Sequence, residues 1–265
     1  MKISIVTISY NQVYFLKKCI DSVLEQNYPN LEYIVVDPGS SDGSRDLIDS
    51  YGDKIIRVYE KDNGPADGLN KGFRSATGDI LFFLNSDDIL KPGALRYVSD
   101  FFFRHRNIDV LMGCGDLIDA NDGLISLATV TKFTAKRYLY GGISFLQQAT
   151  FFRAEGFNDV GGFNDKNRIC WDGELFLKMA LNGCKFKFVS KQLGSFRIHG
   201  DAITGSGKFR DLYLAQEKII FEEVMGRKWN NFDYVIQYFY KALRYVTSPL
   251  LYVNKIKTLY LKVTN

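Results

Sequence analysis

Apolar and polar positions fall into alternating blocks up to about residue 105. Ile3–Ser9, Leu31–Val36, Ile55–Tyr59 and Ile80–Leu84 are short, largely apolar runs, and runs of this kind read as strands buried on both faces. Between them the spacing changes. Leu16, Ile20, Val23 and Leu24 recur at helical intervals, a short helix fits Arg45–Tyr51 and another Asp67–Ala76, and Pro92 is placed to open the next. Strands alternating with helices predict right-handed crossovers and a mostly parallel central sheet flanked by helices, an α/β fold.

After residue 105 the regularity fades. Val110–Met112 and Leu124–Val130 predict strands separated by the turn "DANDG". "WDGELFLKMALNG" predicts a helix stopped by Gly183. "CKFKFV" and "SFRIHG" read as two separate strands or strand-like loops.

In open sheets of this type ligands bind beyond the carboxyl ends of the strands. Those ends carry Ser9, Tyr10 and Asn11, then Asp37 in "VVDPGSSDGS", then Asn85, Ser86, Asp87 and Asp88. Two adjacent carboxylates after an apolar run repel each other beside a low-dielectric core. Either a turn and helix cap or a divalent cation can offset that repulsion, and carboxylates suit Mg²⁺ or Mn²⁺. Tyr10 fits a strand-end aromatic or a ring against a nucleobase. Asp37 fits an Asx turn before Pro38-Gly39 or a ligand contact. Asp42 fits a cap on the following helix.

Composition narrows the class. The 265 residues suit one domain with an appendage, and 46% hydrophobic with 15% aromatic residues excludes disorder. A net charge of +4 is too mild to indicate a nucleic-acid partner. Cys19, Cys114, Cys170 and Cys184 are widely spaced with no CxxC pair, so a reducing compartment is the simplest reading. The N-terminus does not resemble a signal peptide, and no apolar run approaches the roughly 20 residues that span a bilayer. A cytoplasmic protein is expected.

"SIVTISYNQ", "EYIVVDPGSSDGS", "NGPADGLNKGFRSATGDILFFLNSDD", "QQATFFR", "GGFND", "WDGELFLKM" and "FRIHG" stand in the order found in family 2 inverting glycosyltransferases, and residues 1 to 205 resemble that family. The resemblance implies the GT-A fold, with a nucleotide-binding half at 1–105, an acceptor-binding half at 106–205 and a C-terminal helical extension at 206–265. It implies a metal and sugar-nucleotide clamp at Asn85-Ser86-Asp87-Asp88, where Asn85 replaces the first acid of the family's DxD motif. Asp87 and Asp88 are then the expected ligands of Mn²⁺ or Mg²⁺, with His199 as a further metal or phosphate contact. Ser9, Tyr10, Asn11, Asp37, Asp67, Lys71, Asn85, Ser86 and Asp87 are the expected donor contacts, Asn70 a weaker one, and a UDP-sugar the favoured donor.

An inverting transfer needs one base to take the acceptor proton. The resemblance puts Asp172 in that role; a plain helix cap is the competing reading, and Glu174 the alternate base. Trp171 stands where the family often has Glu. Gln148 is expected near the acceptor, a glycan or a polyprenyl-linked saccharide. Arg168 and Arg197 are both candidates to offset diphosphate charge. Two rival functions stay open: a sugar-phosphate nucleotidyltransferase, and a non-catalytic nucleotide-sugar-binding protein.

From Gly226 onward Arg227, Lys228, Lys241, Arg244, Lys255, Lys257 and Lys262 face a single acid, Asp233, and tyrosines alternate with aliphatics around Ser248-Pro249. This fits basic amphipathic helices at the inner face of an anionic membrane, or helices packed on protein.

Overall fold

The computed structural model describes residues 1–200, 209–248, 251–254, 256 and 258. Pro249, Lys255, Lys257, Tyr260 and Lys262 of the tail, and residues 201–208, lie outside the described residues.

The apolar runs of the first half become strands β1 (Ile3–Ile8), β2 (Leu31–Val36), β3 (Ile56–Val58) and β4 (Ile80–Asn85). β1 is flanked by β2 and β4, and β2 by β3, all parallel. Ile5, Val6, Ile34, Val35, Phe82 and Phe83 are fully buried because helices cover both faces of this part of the sheet. Helix α1 (Val13–Leu24) turns Leu16, Cys19, Ile20 and Val23 inward, and α3 (Pro65–Arg74) turns in Ala66, Leu69 and Phe73. The short α2 (Ser44–Ser50) lies between them in sequence. Gly43, not Asp42, is the cap residue of α2; Asp42 stands before it and accepts the first amides of two helices, Ser44 at 3.0 Å and Val13 at 2.9 Å.

The strand order β3-β2-β1-β4 reverses direction at β1. Connections leave opposite faces of the sheet on either side of that point, so a crevice opens beyond the carboxyl ends of β1 and β4. Ser9-Tyr10 and Asn85-Ser86-Asp87 sit there by topology alone.

Beyond β4 the sheet becomes mixed. β5 (Ile89–Leu90), α4 (Ala94–Arg104), β6 (Val110–Ile118) and β7 (Leu124–Ala128) follow in the chain, then α5 (Ala135–Leu139), β8 (Thr150–Arg153), α6 (Ala154–Asp159), α7 (Trp171–Leu181) and β9 (Phe186–Arg197). β8 runs antiparallel to β4 and β6, while β9 runs parallel to β6, and the order continues β4-β8-β6-β9-β5 with β7 against β6. Three local readings change. α4 starts at Ala94 under a Gly93 cap with φ +75°, downstream of Pro92. The strand expected over Val110–Met112 continues to Ile118. "CKFKFV" and "SFRIHG" belong to one strand of 12 residues, β9, held to β6 through two register shifts. Gly183 ends α7 at φ +88° as expected.

Near its end β9 passes the 3₁₀ turn Gln147–Ala149 so closely that a Cβ on Gly194 would overlap the Gln148 carbonyl. Only glycine permits that approach. Helices α8 (Arg210–Met225) and α9 (Asn231–Val246) complete the described chain with a short helical stretch at 251–254.

Gly72 tests the α3–sheet contact. Alanine gains about 1 kcal/mol of helix propensity, but its Cβ would press into Val6 and come within 2.9 Å of Val36. Overpacking costs about 1–3 kcal/mol, so Gly72→Ala is expected to lower stability by roughly 1 kcal/mol net in urea unfolding. A rise in the midpoint would show that α3 moves freely on the sheet.

Candidate active site

The crevice widens into a cavity of about 1310 Å³. One wall comes from the first half of the chain: Ser9 and Tyr10 after β1, Pro38 and Gly39 after β2, the Lys61–Pro65 loop before α3, and Asn85, Ser86 and Asp87 after β4. The second half contributes Tyr138, Gln147, Gln148, Arg168, Trp171, Asp172 and Gly173 to the lining. Most of the expected donor and acceptor residues thus line one space, with differences in detail.

Tyr10 is 62% exposed and offers a free ring face. Ser9 is buried, and its hydroxyl has no partner among the described residues. Asn11 is absent from the lining. At φ +51° it ties two loops together, its amide to the Ser40 hydroxyl and its side-chain carbonyl to the Ser41 amide. Asp37 is fully buried behind Pro38 and Gly39, where Oδ1 accepts from the amides of Gly39 and Ser40 and from Arg45 Nε. Its Oδ2 has no partner among the described residues. A buried carboxylate oxygen without a donor is costly, and a ligand N–H would relieve it. Asp67 and Lys71 also lie off the lining. They pair at 2.9 Å, and Asp67 accepts the Asn63 amide, which braces the loop that does line the cavity. Asn70 donates to the Phe163 carbonyl and receives its amide, a structural clasp.

The two adjacent carboxylates separate by role. Asp87 lines the cavity and meets His199 Nε2 at 3.0 Å. Asp88 is fully buried and is absent from the lining. Its oxygens accept from the Arg197 amide at 2.8 Å, Gln148 Nε2 at 2.7 Å and Asn85 Nδ2 at 3.3 Å. Burial, and then the neighbouring Asp87 charge, push its carboxyl well above the ordinary range. Three protein donors meet the Asp88 carboxyl, which makes it a structural post that ties Asn85, Gln148 and the end of β9 together. Among the described residues no group of three or more His, Cys, Asp or Glu could hold a metal. Asp87 with His199 makes a two-residue set, which fits a Mg²⁺ or Mn²⁺ site completed by water and substrate phosphate.

Arg197 is fully buried under this turn. It donates to the Asp87 carbonyl at 2.6 Å and the Asp119 carbonyl at 2.8 Å, pairs with Asp122 at 2.6 Å and stacks on Phe15. It is therefore committed to structure, whereas Arg168 reaches the cavity lining.

Asp172 occupies the first turn of α7, on the cavity side, beside Trp171. Burial pushes its carboxyl up to about 6, partly offset by the Gly173 amide at 2.7 Å. The competing cap reading does not describe it: Cys170 is the cap residue, and no side chain caps the helix. Glu174 lies two positions on and faces elsewhere. It is buried, holds Asn164 and Asn167 at 2.9 and 2.6 Å, pairs with Lys178, and is absent from the lining. Tyr138 lies against Gly173 so tightly that a Cβ there would come within 2.9 Å of its ring.

The sequence pattern did not point to α8. Phe209, Arg210, Tyr213 and Leu214 close the cavity beside Asp172, although they read as the start of an extension. Phe209 and Tyr213, two aromatics four residues apart at the start of a helical pattern, were the available signal.

Comparison with known proteins is consistent with this geometry. The family model described as glycosyl transferase family 2 matches residues 4–161. An uncharacterized glycosyltransferase from Nostoc sp. is 32% identical over 217 residues, covering 76% of this chain and 66% of that protein. The chondroitin synthase of Pasteurella multocida is 28% identical over 237 residues, covering 88% of this chain but 24% of the synthase. Among solved structures, S. aureus TarS 1–349 in complex with UDP-GlcNAc superposes with a TM-score of 0.63 at 20% identity, covering 85% of this chain and 72% of that one. The mannosyltransferase from Pyrobaculum calidifontis, in complex with GDP-Man and Mn²⁺, gives 0.66 at 16% identity, covering 99% and 75%. The chain thus has the GT-A fold of these transferases.

Folding raises the Asp172 pKa from 3.8 to about 6, so the native state binds the proton more tightly than the unfolded chain. Stability then falls as pH rises between those values and stays lower above them. Asp172→Asn is expected to stabilise the chain at pH 8 by roughly 1–3 kcal/mol, with the gain vanishing near pH 3. Denaturation curves at the two pH values check this, and an equal effect at both would mean the carboxylate is not desolvated.

Proposed function

The chain belongs to glycosyl transferase family 2, and from that premise we propose an inverting transfer in which Asp172 is the base. The observation that carries this reading is the Asp172 carboxylate, raised to about 6 by burial, which lines the same cavity as Asp87; Asp62, also raised, lines it from the loop before α3. A carboxylate with a pKa raised to about 6 suits the work of a general base near neutral pH. An acceptor hydroxyl beside Asp172 gives its proton to the carboxylate while its oxygen forms a bond to the anomeric carbon. The bond from that carbon to the nucleoside diphosphate breaks on the opposite face, and the sugar leaves with inverted configuration.

The donor reading rests on the first wall. Tyr10 would take the base on its ring, and Asp37 Oδ2 would accept a ring N–H, as uracil offers. UDP-sugar is the favoured donor; one neighbour was solved with UDP-GlcNAc and another with GDP-Man. Asn85 and Ser86 would contact sugar or ribose hydroxyls. Asp87 with His199 would hold Mn²⁺ or Mg²⁺, which when bound neutralises charge developing on the departing diphosphate. Gln148 and Trp171 would frame the acceptor, a glycan or a polyprenyl-linked saccharide of a bacterial cell-surface polysaccharide. The synthase relatives support the polysaccharide part, and a cytoplasmic setting completes the reading.

The deciding experiment combines calorimetric titration of UDP, GDP, CDP and dTDP, with Mn²⁺, Mg²⁺ or EDTA, and transfer assays with the matching nucleotide sugar. Wild type is expected to bind one nucleotide in a metal-dependent manner, and Asp87→Ala to lose that dependence. Asp172→Asn is expected to keep nucleotide affinity within about twofold while kcat falls by roughly 10²–10⁴. The wild-type rate should rise with pH through about 6 as the base ionises. A variant retaining a tenth of the wild-type rate would remove Asp172 from the base role.

A further inference from the structure

Helix α9 turns its apolar side outward. At 3.6 residues per turn, Phe232, Val235, Phe239, Ala242 and Val246 fall along one line, and Tyr234, Tyr238 and Tyr245 along its flank. Phe232 is 68% exposed, Val235 61%, Tyr238 71% and Val246 78%, values far from those of a packed face. The side that meets the protein carries Ile236, Tyr240 and Leu243, with Asp233 as its one fully buried residue. A band of this size and continuity on a single helix marks a contact surface.

The charges indicate what covers it. From Gly226 onward the sequence has seven Lys and Arg against one acid. That acid, Asp233, is already neutralised by Arg227 at 2.6 and 2.7 Å and faces inward. Lys228 and Lys241 are exposed, and Lys241 borders the tyrosine flank. Lys241 already lies near Glu217 of α8, and α9 has no exposed acid of its own, so a second copy of this helix would set its cations against like charge. An anionic lipid surface complements them, and tyrosines at the edge of an apolar band suit the headgroup level.

We propose that α9 lies in the surface of an anionic membrane, with Phe232, Val235, Phe239 and Val246 inserted at the headgroup boundary and Lys228 and Lys241 over anionic headgroups. The proposal does not depend on the identity of the donor or on the role of Asp172.

The test is co-sedimentation of the full chain with vesicles of phosphatidylcholine alone and of phosphatidylcholine mixed with phosphatidylglycerol. Binding is expected on the mixed vesicles, weaker on the neutral ones and reduced by high salt. F232S/F239S/V246S should lose at least tenfold in partition, with far-ultraviolet circular dichroism unchanged because those side chains face solvent. K228Q/K241Q, which keeps the apolar band, should weaken partition roughly thirtyfold, at about 1 kcal/mol per cation near the surface. Equal binding to both vesicle types, unmoved by either variant, would overturn the proposal. So would absence of vesicle binding together with a dimer in light scattering that F232S/F239S/V246S dissolves.

Discussion

Arg197 has no exposed surface, and a guanidinium can be taken out of water only where fixed acceptors meet most of its donors. That requirement organises the second half of the site. The acceptors come from the turn after β4, through the Asp87 carbonyl, and from the turn between β6 and β7, through Asp119 and Asp122. The same residue gives its amide to Asp88. One side chain therefore joins the end of β9 to the turn that carries Asp87 and to a hairpin more than seventy residues away in sequence. A buried ion pair of this kind adds little net stability. Its effect is positional: it removes the freedom of Asp87 to choose another backbone orientation.

The parallel half of the fold was legible because its strands are apolar on both faces and its helices alternate with them. The mixed half was not, for a physical reason. β9 contains Lys187, Ser190, Lys191 and Gln192 because its middle is partly exposed where the register with β6 shifts. A run so interrupted reads as two strands. Pairing across many residues, which local periodicity cannot express, is what makes it one.

The site was legible as a set of strand ends but not as roles. Asp87 and Asp88 are chemically identical in sequence, and one peptide step points one at the cavity and the other into the core. Only burial tells them apart. Asp172 and Glu174 differ in the same way, and here the helical period held the information: two residues on a helix are about 200° apart, so they cannot share a face. Asn11, Asp67 and Lys71 stand close to the cavity in sequence yet act through the loops they tie down. α8 was missed because it begins beyond residue 205, where the recognisable motifs end, and its local spacing does not point to the cavity.

The tail is fixed to the site by another satisfied buried carboxylate. Asp233 accepts from Arg227, from the Asn230 amide and from the Tyr140 hydroxyl at 2.9 Å, and the Arg227 hydrogen bonds, ahead of the others, hold its pKa well below the usual range. Removing one partner leaves the Asp233 carboxylate short of a donor at a position with no exposed surface, so this cluster holds α9 to the end of α5. Tyr138, two residues earlier, is packed on Gly173 beside Asp172. The outward face of α9 and the part of the cavity lining that carries Asp172 are therefore attached to the same short helix. A surface that orients α9 also orients the cavity mouth, and an acceptor anchored in that surface would meet Asp172 from a defined direction.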